Sequence, residues 1–154
     1  MNKDFFKQVR ILDGGMGQEL HAKGLISMGT LWSASANLET KFHNLVVDLH
    51  LSYINSGADV IITNTFSARR IRLIQNKVNE HFNYINEQAC LLAIKAKDLS
   101  KKNVLIAGSL PSQSDTYVED RRKSNEIEKD FLDQAIIINP YVDFFYLDVL
   151  SSGK

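Results

Sequence analysis

A single cysteine, two prolines, one tryptophan and no net charge each close off a class of protein. Cys90 alone can form neither an intrachain disulfide nor a multi-thiolate metal site. Eighteen basic residues balance eighteen acidic ones, which leaves no electrostatic footprint for nucleic acid and no polybasic stretch for an anionic membrane. No apolar run approaches the ~18 residues of a membrane span. The opening Met1-Asn2-Lys3-Asp4-Phe5-Phe6-Lys7 puts charges where a signal peptide needs an apolar core. A cytoplasmic protein with neither nucleic acid nor membrane as partner is the expectation. At 154 residues, 44% apolar and 23% charged, without repeat, linker or low-complexity tract, the chain reads as a single domain, residues 1–154, with a core of its own.

What is present is a repeating pattern of strand and helix. Apolar runs at residues 9–13, 59–64, 104–109 and 142–148 are continuous instead of alternating, which suits parallel strands buried on both faces. Between them Leu38, Phe42, Leu45, Val46, Leu49, Tyr53 and Ile54 recur at helical steps, with Gly57 where a C-cap belongs. Val78, Phe82, Ile85, Ala89, Leu92, Ala93 and Ala96 form a second such set, and Ile127, Phe131, Ala135 and Ile136 a third. Neither proline interrupts these patterns. The strand–helix–strand order predicts an α/β protein with helical crossovers, and the stretches 23–37 and 111–123 read as long loops, a feature more often functional than accidental.

Polar residues gather where the predicted strands end. Val9-Arg10-Ile11-Leu12-Asp13-Gly14-Gly15-Met16-Gly17 closes a strand on a carboxylate and three glycines, where the absence of Cβ atoms lets a ligand approach the backbone. Asn64, Thr65 and Phe66 follow the second strand, Gly108 and Ser109 the third, and Asp148, Ser151 and Ser152 the fourth. One rim therefore collects them, and ligands of parallel α/β folds bind at that rim. The glycine turn is neither a dinucleotide fingerprint nor a Walker loop. His43 and His50, seven apart, are too distant for a metal pair on adjacent turns and fit packing or solvated positions. Cys90 falls in a helical apolar pattern as a small core residue. Asn125 and Glu128 can form a capping box ahead of the last helix. Trp32 and Phe66 either cover the mouth of the site or offer aromatic faces to a cation.

Asp13-Gly14-Gly15-Met16-Gly17-Gln18-Glu19-Leu20, Leu31-Trp32-Ser33-Ala34, the run from His50 to Phe66, and Ala107-Gly108-Ser109-Leu110-Pro111 followed by Tyr117 and Asp120 resemble, in order and spacing, the homocysteine S-methyltransferases. The resemblance covers nearly the whole chain. It implies the first four βα units of a (β/α)8 TIM barrel about twice this length, with the present chain as an N-terminal half ending after the fourth strand. It further implies that Asp13 and Asp148 hold the homocysteine amine, with Gly14, Gly15, Asn64, Thr65 and Ser109 at the same substrate site. Trp32 and Phe66 would face a sulfonium or quaternary ammonium methyl donor. Paired carboxylates suit an ammonium group and aromatic faces suit a diffuse cation.

Two departures stand out. Asp148 occupies a position where the family usually has Glu, one methylene longer. The family's zinc, which turns the homocysteine thiol into a thiolate, is held by three cysteines of the second half barrel, and Cys90 is misplaced to be any of them. The resemblance therefore implies methyl transfer to homocysteine, giving methionine, in a complete enzyme, with zinc bound only there and this chain inactive alone. A non-catalytic half that completes a barrel with a C-terminal partner chain or a second copy in a homodimer is the alternative expectation, since four parallel strands leave open edges.

Overall fold

Three parallel strands, β1 (Val60–Ile62), β2 (Leu105–Pro111) and β3 (Phe144–Asp148), lie side by side in the order β1-β2-β3 of a computed structural model that describes residues 3–150. Register is set by the pairs Val60↔Leu105 and Ala107↔Phe144, and β2 stays in step with β3 as far as Pro111↔Asp148. The helices are α1 (Met16–Ala22), α2 (Ser35–Leu38), α3 (His43–Asn55), α4 (Arg70–Gln75), α5 (Phe82–Ser100) and α6 (Ser124–Ile138). Among the described residues no helix is long and apolar enough to cross a membrane. Ser151 and Ser152 lie outside the described residues.

Residues 9–13 do not form the expected strand. They meet β1 through one bridge, Leu12↔Val60, supported by Asp13 N–H to Val60 O (3.0 Å) and Val60 N–H to Ile11 O (3.2 Å). Val9 and Ile11 are 93% and 59% exposed. The segment lies at the sheet edge with one neighbour, so its apolar run is not buried on both faces. The same holds for β3, where Phe145 and Leu147 turn outward. Among the described residues only β1 and β2, flanked on both sides, are interior strands.

Three aspartates splice this sheet together. Asp59 Oδ2 accepts the Ile11 N–H (2.9 Å), Asp143 Oδ2 accepts the Ile106 N–H (2.8 Å), and Asp13 Oδ2 accepts the Ile62 N–H (2.8 Å). Each carboxylate satisfies a backbone donor where parallel pairing begins or ends, and an unsatisfied buried N–H would be costly.

Helices α3 and α5 cover one face as their periodicity predicts. Val46, Leu49 and Ile54 of α3 and Leu92, Ala93 and Ala96 of α5 meet Ile61 and Ile106 of the sheet, with Met16 and Leu20 of α1 completing the core. Full burial of each large aliphatic side chain contributes about 1.5–3 kcal/mol. Gly57 ends α3 at φ +107°, a conformation that an L side chain resists. Cys90 is wholly buried beside Leu110 and Ile138. The stretch 23–37 is not the irregular loop expected: a 3-10 turn (Gly29–Ala34) and α2 run through it, burying Leu31, Ala34 and Ala36. The cap of α6 is shifted too, since the Glu126 carboxylate, and not Glu128, accepts the Lys123 N–H (3.3 Å).

Helix α6 is tied to the rim by buried amides. Gln134 Nε2 donates to Thr65 O (3.1 Å) and Asn86 Oδ1 (2.9 Å), while its Oε1 accepts from Gln113 Nε2 (2.9 Å). Truncating such a residue strands its partners. Gln134→Ala is expected to destabilise the fold by about 2–4 kcal/mol, read as a lowered urea midpoint, whereas the exposed Glu128→Ala on the same helix should stay within about 0.5 kcal/mol of the parent.

Candidate functional site

A cavity of about 570 Å³ opens at the carboxyl ends of the strands. Its floor is the Asp13-Gly14-Gly15 turn, and its walls are the ends of β1 and β3, the indole of Trp32 and Tyr117 from the 112–123 loop. Asp13, Gly14, Gly15, Trp32, Asn64, Phe66 and Asp148 all line it. Thr65 and Ser109 do not. Both are fully buried behind the wall, where the Thr65 hydroxyl donates to Ser109 O (2.8 Å) and the Ser109 hydroxyl donates to Asp148 Oδ2 (2.8 Å). Ser109 thus fixes the Asp148 carboxylate from behind.

The Asp13 side chain is 2% exposed. Burial is the largest influence on it and pushes its pKa up to about 7, against the Ile62 N–H that favours the charge; the negative charge of Asp148 adds a smaller upward push. Two carboxylates facing one cavity, one of them reluctant to ionise, are an incomplete electrostatic arrangement. A cationic group between them would satisfy both.

Glycine is required at two places for steric reasons. A Cβ on Gly14 would come within 2.8 Å of the Tyr53 ring, and one on Gly17 would come within 2.1 Å of the Trp32 indole nitrogen. The backbone of α1 is therefore the seat on which Trp32 rests. One turn further along α1 the indole also packs against His21, ring centroids 4.1 Å apart. Trp32 takes φ 50° and ψ −130°, an unfavourable conformation for a bulky residue, and is 40% exposed. Its loop is held by neighbouring amides: Asn64 Nδ2 donates to Ser33 O and Asn37 Oδ1 (both 2.9 Å), and Asn37 Nδ2 donates back to Asn64 O (2.7 Å).

Two arginines fasten the 112–123 loop. Arg69, buried, donates to Ser112 O (3.1 Å) and Thr116 Oγ1 (3.0 Å) and stands 5.2 Å from the Phe66 ring centroid. Arg122 pairs with Asp120 (2.7 Å) and Asp130 (2.6 Å), and this bonding holds the Asp120 carboxyl below its usual range. Tyr117 is carried at φ 64° and is 86% exposed. Sequence reasoning missed Tyr146, although the alternation of β3 puts it on the face of Asp148. It also missed the residues beneath the floor, Tyr53 and His50. The His50 ring is fully buried, with Nδ1 3.9 Å from Asp13 Oδ2, while His43 bonds the Asn37 carbonyl (2.9 Å) at the start of α3.

A family model described as homocysteine S-methyltransferase matches residues 10–153. Among curated proteins the chain is similar to Homocysteine S-methyltransferase 1 of Zea mays, 41% identical over 58 residues that make up 38% of this chain and 17% of that protein. It is also similar to S-methylmethionine--homocysteine S-methyltransferase BHMT2 of Rattus norvegicus, 31% identical over 103 residues, 67% of this chain and 26% of that one. The structure resembles the homocysteine methyltransferase MmuM from Escherichia coli in its metallated form, with a TM-score of 0.79 and 21% identity over 96% of this chain and 57% of the other. The chain spans less than two thirds of the length of each of these relatives.

Two buried groups, Asp13 in the floor and His50 beneath it, act on stability in opposite directions. Asp13 titrates near 7 when folded and near 3.8 when unfolded, so the native state holds the extra proton and stability falls as pH rises through that window. His50, driven by burial from 6.5 to about 4, makes stability rise with pH between those values. Asp13→Asn removes the first effect and keeps an acceptor for the Ile62 N–H. Its stability relative to the parent is expected to grow between pH 4 and pH 7 by roughly 2–4 kcal/mol in urea unfolding; a difference independent of pH would mean that Asp13 titrates in the ordinary carboxylate range.

Proposed function

The chain belongs to the homocysteine S-methyltransferase family, and we propose that its cavity holds homocysteine by the amine, between Asp13 and Asp148, while Trp32 and Phe66 face a cationic methyl donor. The observation that carries this reading is the pair of carboxylates lining one cavity, the Asp13 carboxyl pushed up to about 7 chiefly by its burial. An α-ammonium group supplies a positive partner, and charge-assisted hydrogen bonds to it are worth about 1.5–3 kcal/mol each. Ser109 steadies the shorter carboxylate of Asp148. Gly14 and Gly15 give the floor bare backbone beside Asp13.

In the complete enzyme the methyl group passes from a sulfonium or quaternary ammonium donor to the homocysteine sulfur. The sulfur gains the carbon as the donor heteroatom takes back its bonding pair, and methionine results. The role of this chain's residues is orientation: the carboxylates fix one end of the acceptor, and the aromatic walls favour a positively charged donor over its neutral product. The loop fastened by Arg69 and Arg122 brings Tyr117 to the same wall.

Thiol activation is a separate matter. A free thiol has a pKa of about 8.5, so only a few per cent is thiolate at neutral pH, and a zinc ion is the family's expected remedy. The side chains present do not fit that ion. No three His, Cys, Asp or Glu side chains converge on a metal position among the described residues. The thiol of Cys90 is buried in the core and pushed up to about 12, first by that burial and then by Glu87. Unaided methyl transfer by this chain is therefore expected to be slight.

Calorimetry with homocysteine tests the reading. The parent chain should bind, and Asp13→Asn or Asp148→Asn should each weaken binding about tenfold or more, equivalent to about 1.4 kcal/mol. 4-Mercaptobutyrate, which lacks the amine, should bind weakly and respond to neither substitution. Equal affinity of the parent for the two thiols would exclude an amine clamp.

A further inference from the structure

His50 has no role in the chemistry described so far, yet its placement is not that of a packing residue. The ring is 0% exposed, on the inward face of α3, and neither Nδ1 nor Nε2 has a hydrogen-bond partner. A neutral imidazole carries one N–H and one lone pair. Burying both without partners is penalised, and an apolar side chain of similar volume would fill the space without that penalty. The polar ring therefore calls for an explanation from its surroundings.

The ionisable group it meets is the floor of the cavity. His50 Nδ1 lies 3.9 Å from Asp13 Oδ2, and both side chains are withdrawn from solvent. Oδ2 already accepts the Ile62 N–H (2.8 Å) and has capacity for a second donor. The remaining charged and titratable groups near Asp13 give less help. Asp148, from β3, raises its pKa. Tyr53, the next turn of α3, has its own pKa raised by burial and then by Glu19 of α1 and Asp13. His50 itself is held neutral by burial, its pKa pushed down to about 4, so it offers an N–H without adding a charge.

We propose that His50 is a positioning residue for Asp13: its Nδ1–H closes onto Oδ2 when the carboxylate is ionised, keeping Oδ1 turned toward the cavity. Oδ2 is then saturated by two N–H donors, one from the backbone of β1 and one from α3, and the carboxylate cannot rotate. The gap of 3.9 Å marks the pair before it closes. Ionisation of Asp13 and closure of the gap are one event, and the arrival of an ammonium group drives both. That last link rests on the amine-binding reading above; the pairing of His50 with Asp13 does not.

The experiment reads the Asp13 carboxyl directly by carbon-13 NMR in the ligand-free chain, its signal identified by its loss in Asp13→Asn. His50→Leu, which removes the donor, should raise the Asp13 midpoint by about one pH unit. His50→Asn, which places an amide N–H where Nδ1 was, should restore much of the difference. Homocysteine affinity should fall about tenfold at pH 6 in His50→Leu and converge on the parent value at pH 9. Midpoints that do not move, or a loss of affinity equal at both pH values, would reduce His50 to a packing residue. Should His50→Leu fail to fold, nitrogen-15 NMR of the parent imidazole still decides: the proton must sit on Nδ1 at neutral pH, and an Nε2–H tautomer overturns the proposal. If homocysteine binds to no variant, parent included, while the Asp13 midpoint still follows residue 50, the amine reading fails and the pairing stands.

Discussion

The hydrogen bond from the Ile62 N–H to Asp13 Oδ2 (2.8 Å) is the interaction on which fold and site both depend. Residues 9–13 meet the sheet through a single bridge, too little pairing to fix where the segment stops. The carboxylate does the fixing, crossing to the end of β1 and accepting a donor there. In doing so it leaves water, and burial raises its pKa toward neutrality. The same contact that ends the segment therefore leaves a carboxyl group in search of positive charge in the floor of a cavity.

Beyond this point the rim is held by side chains in place of a ladder. Asn37 and Asn64 exchange amide bonds across the approach to Trp32. The hydroxyls of Thr63 and Thr65 bond each other, Thr65 donates to the Ser109 carbonyl, and the Ser109 hydroxyl donates to the Asp148 carboxylate. Gln134 carries the connection on to α6. Buried networks of this kind are rigid when fully satisfied, which is what a site assembled from loops requires. His50, with both nitrogens unpartnered, breaks that pattern.

Interior elements were the legible ones. The apolar runs of β1 and β2 and the periodic faces of α3 and α5 pack into the core where their patterns put them, whereas on α6 the periodic Ile136 is 63% exposed and Gln134 and Ile138 are buried instead. The segments at 9–13 and 144–148 have equally apolar sequences, but their exposure is decided by what lies beside them, and periodicity does not encode a neighbour. Helices α1, α2 and α4, at seven, four and six residues, are too short to show a period. Asp13 and Asp148 could be placed on the cavity because strand ends define the rim, whereas Thr65 and Ser109, equally close in sequence to those ends, point behind it. His43 and His50 share a helical face in the sequence yet meet different neighbours two turns apart, the Asn37 carbonyl at the start of α3 and Asp13 farther along it.

The seat of Trp32 has a consequence of another kind. It is the only indole in the chain, seated against the backbone at Gly17 and the ring of His21 on the wall of the cavity. All of the protein's tryptophan emission thus originates at one wall of the site, and the chain carries a built-in optical reporter of whatever enters it.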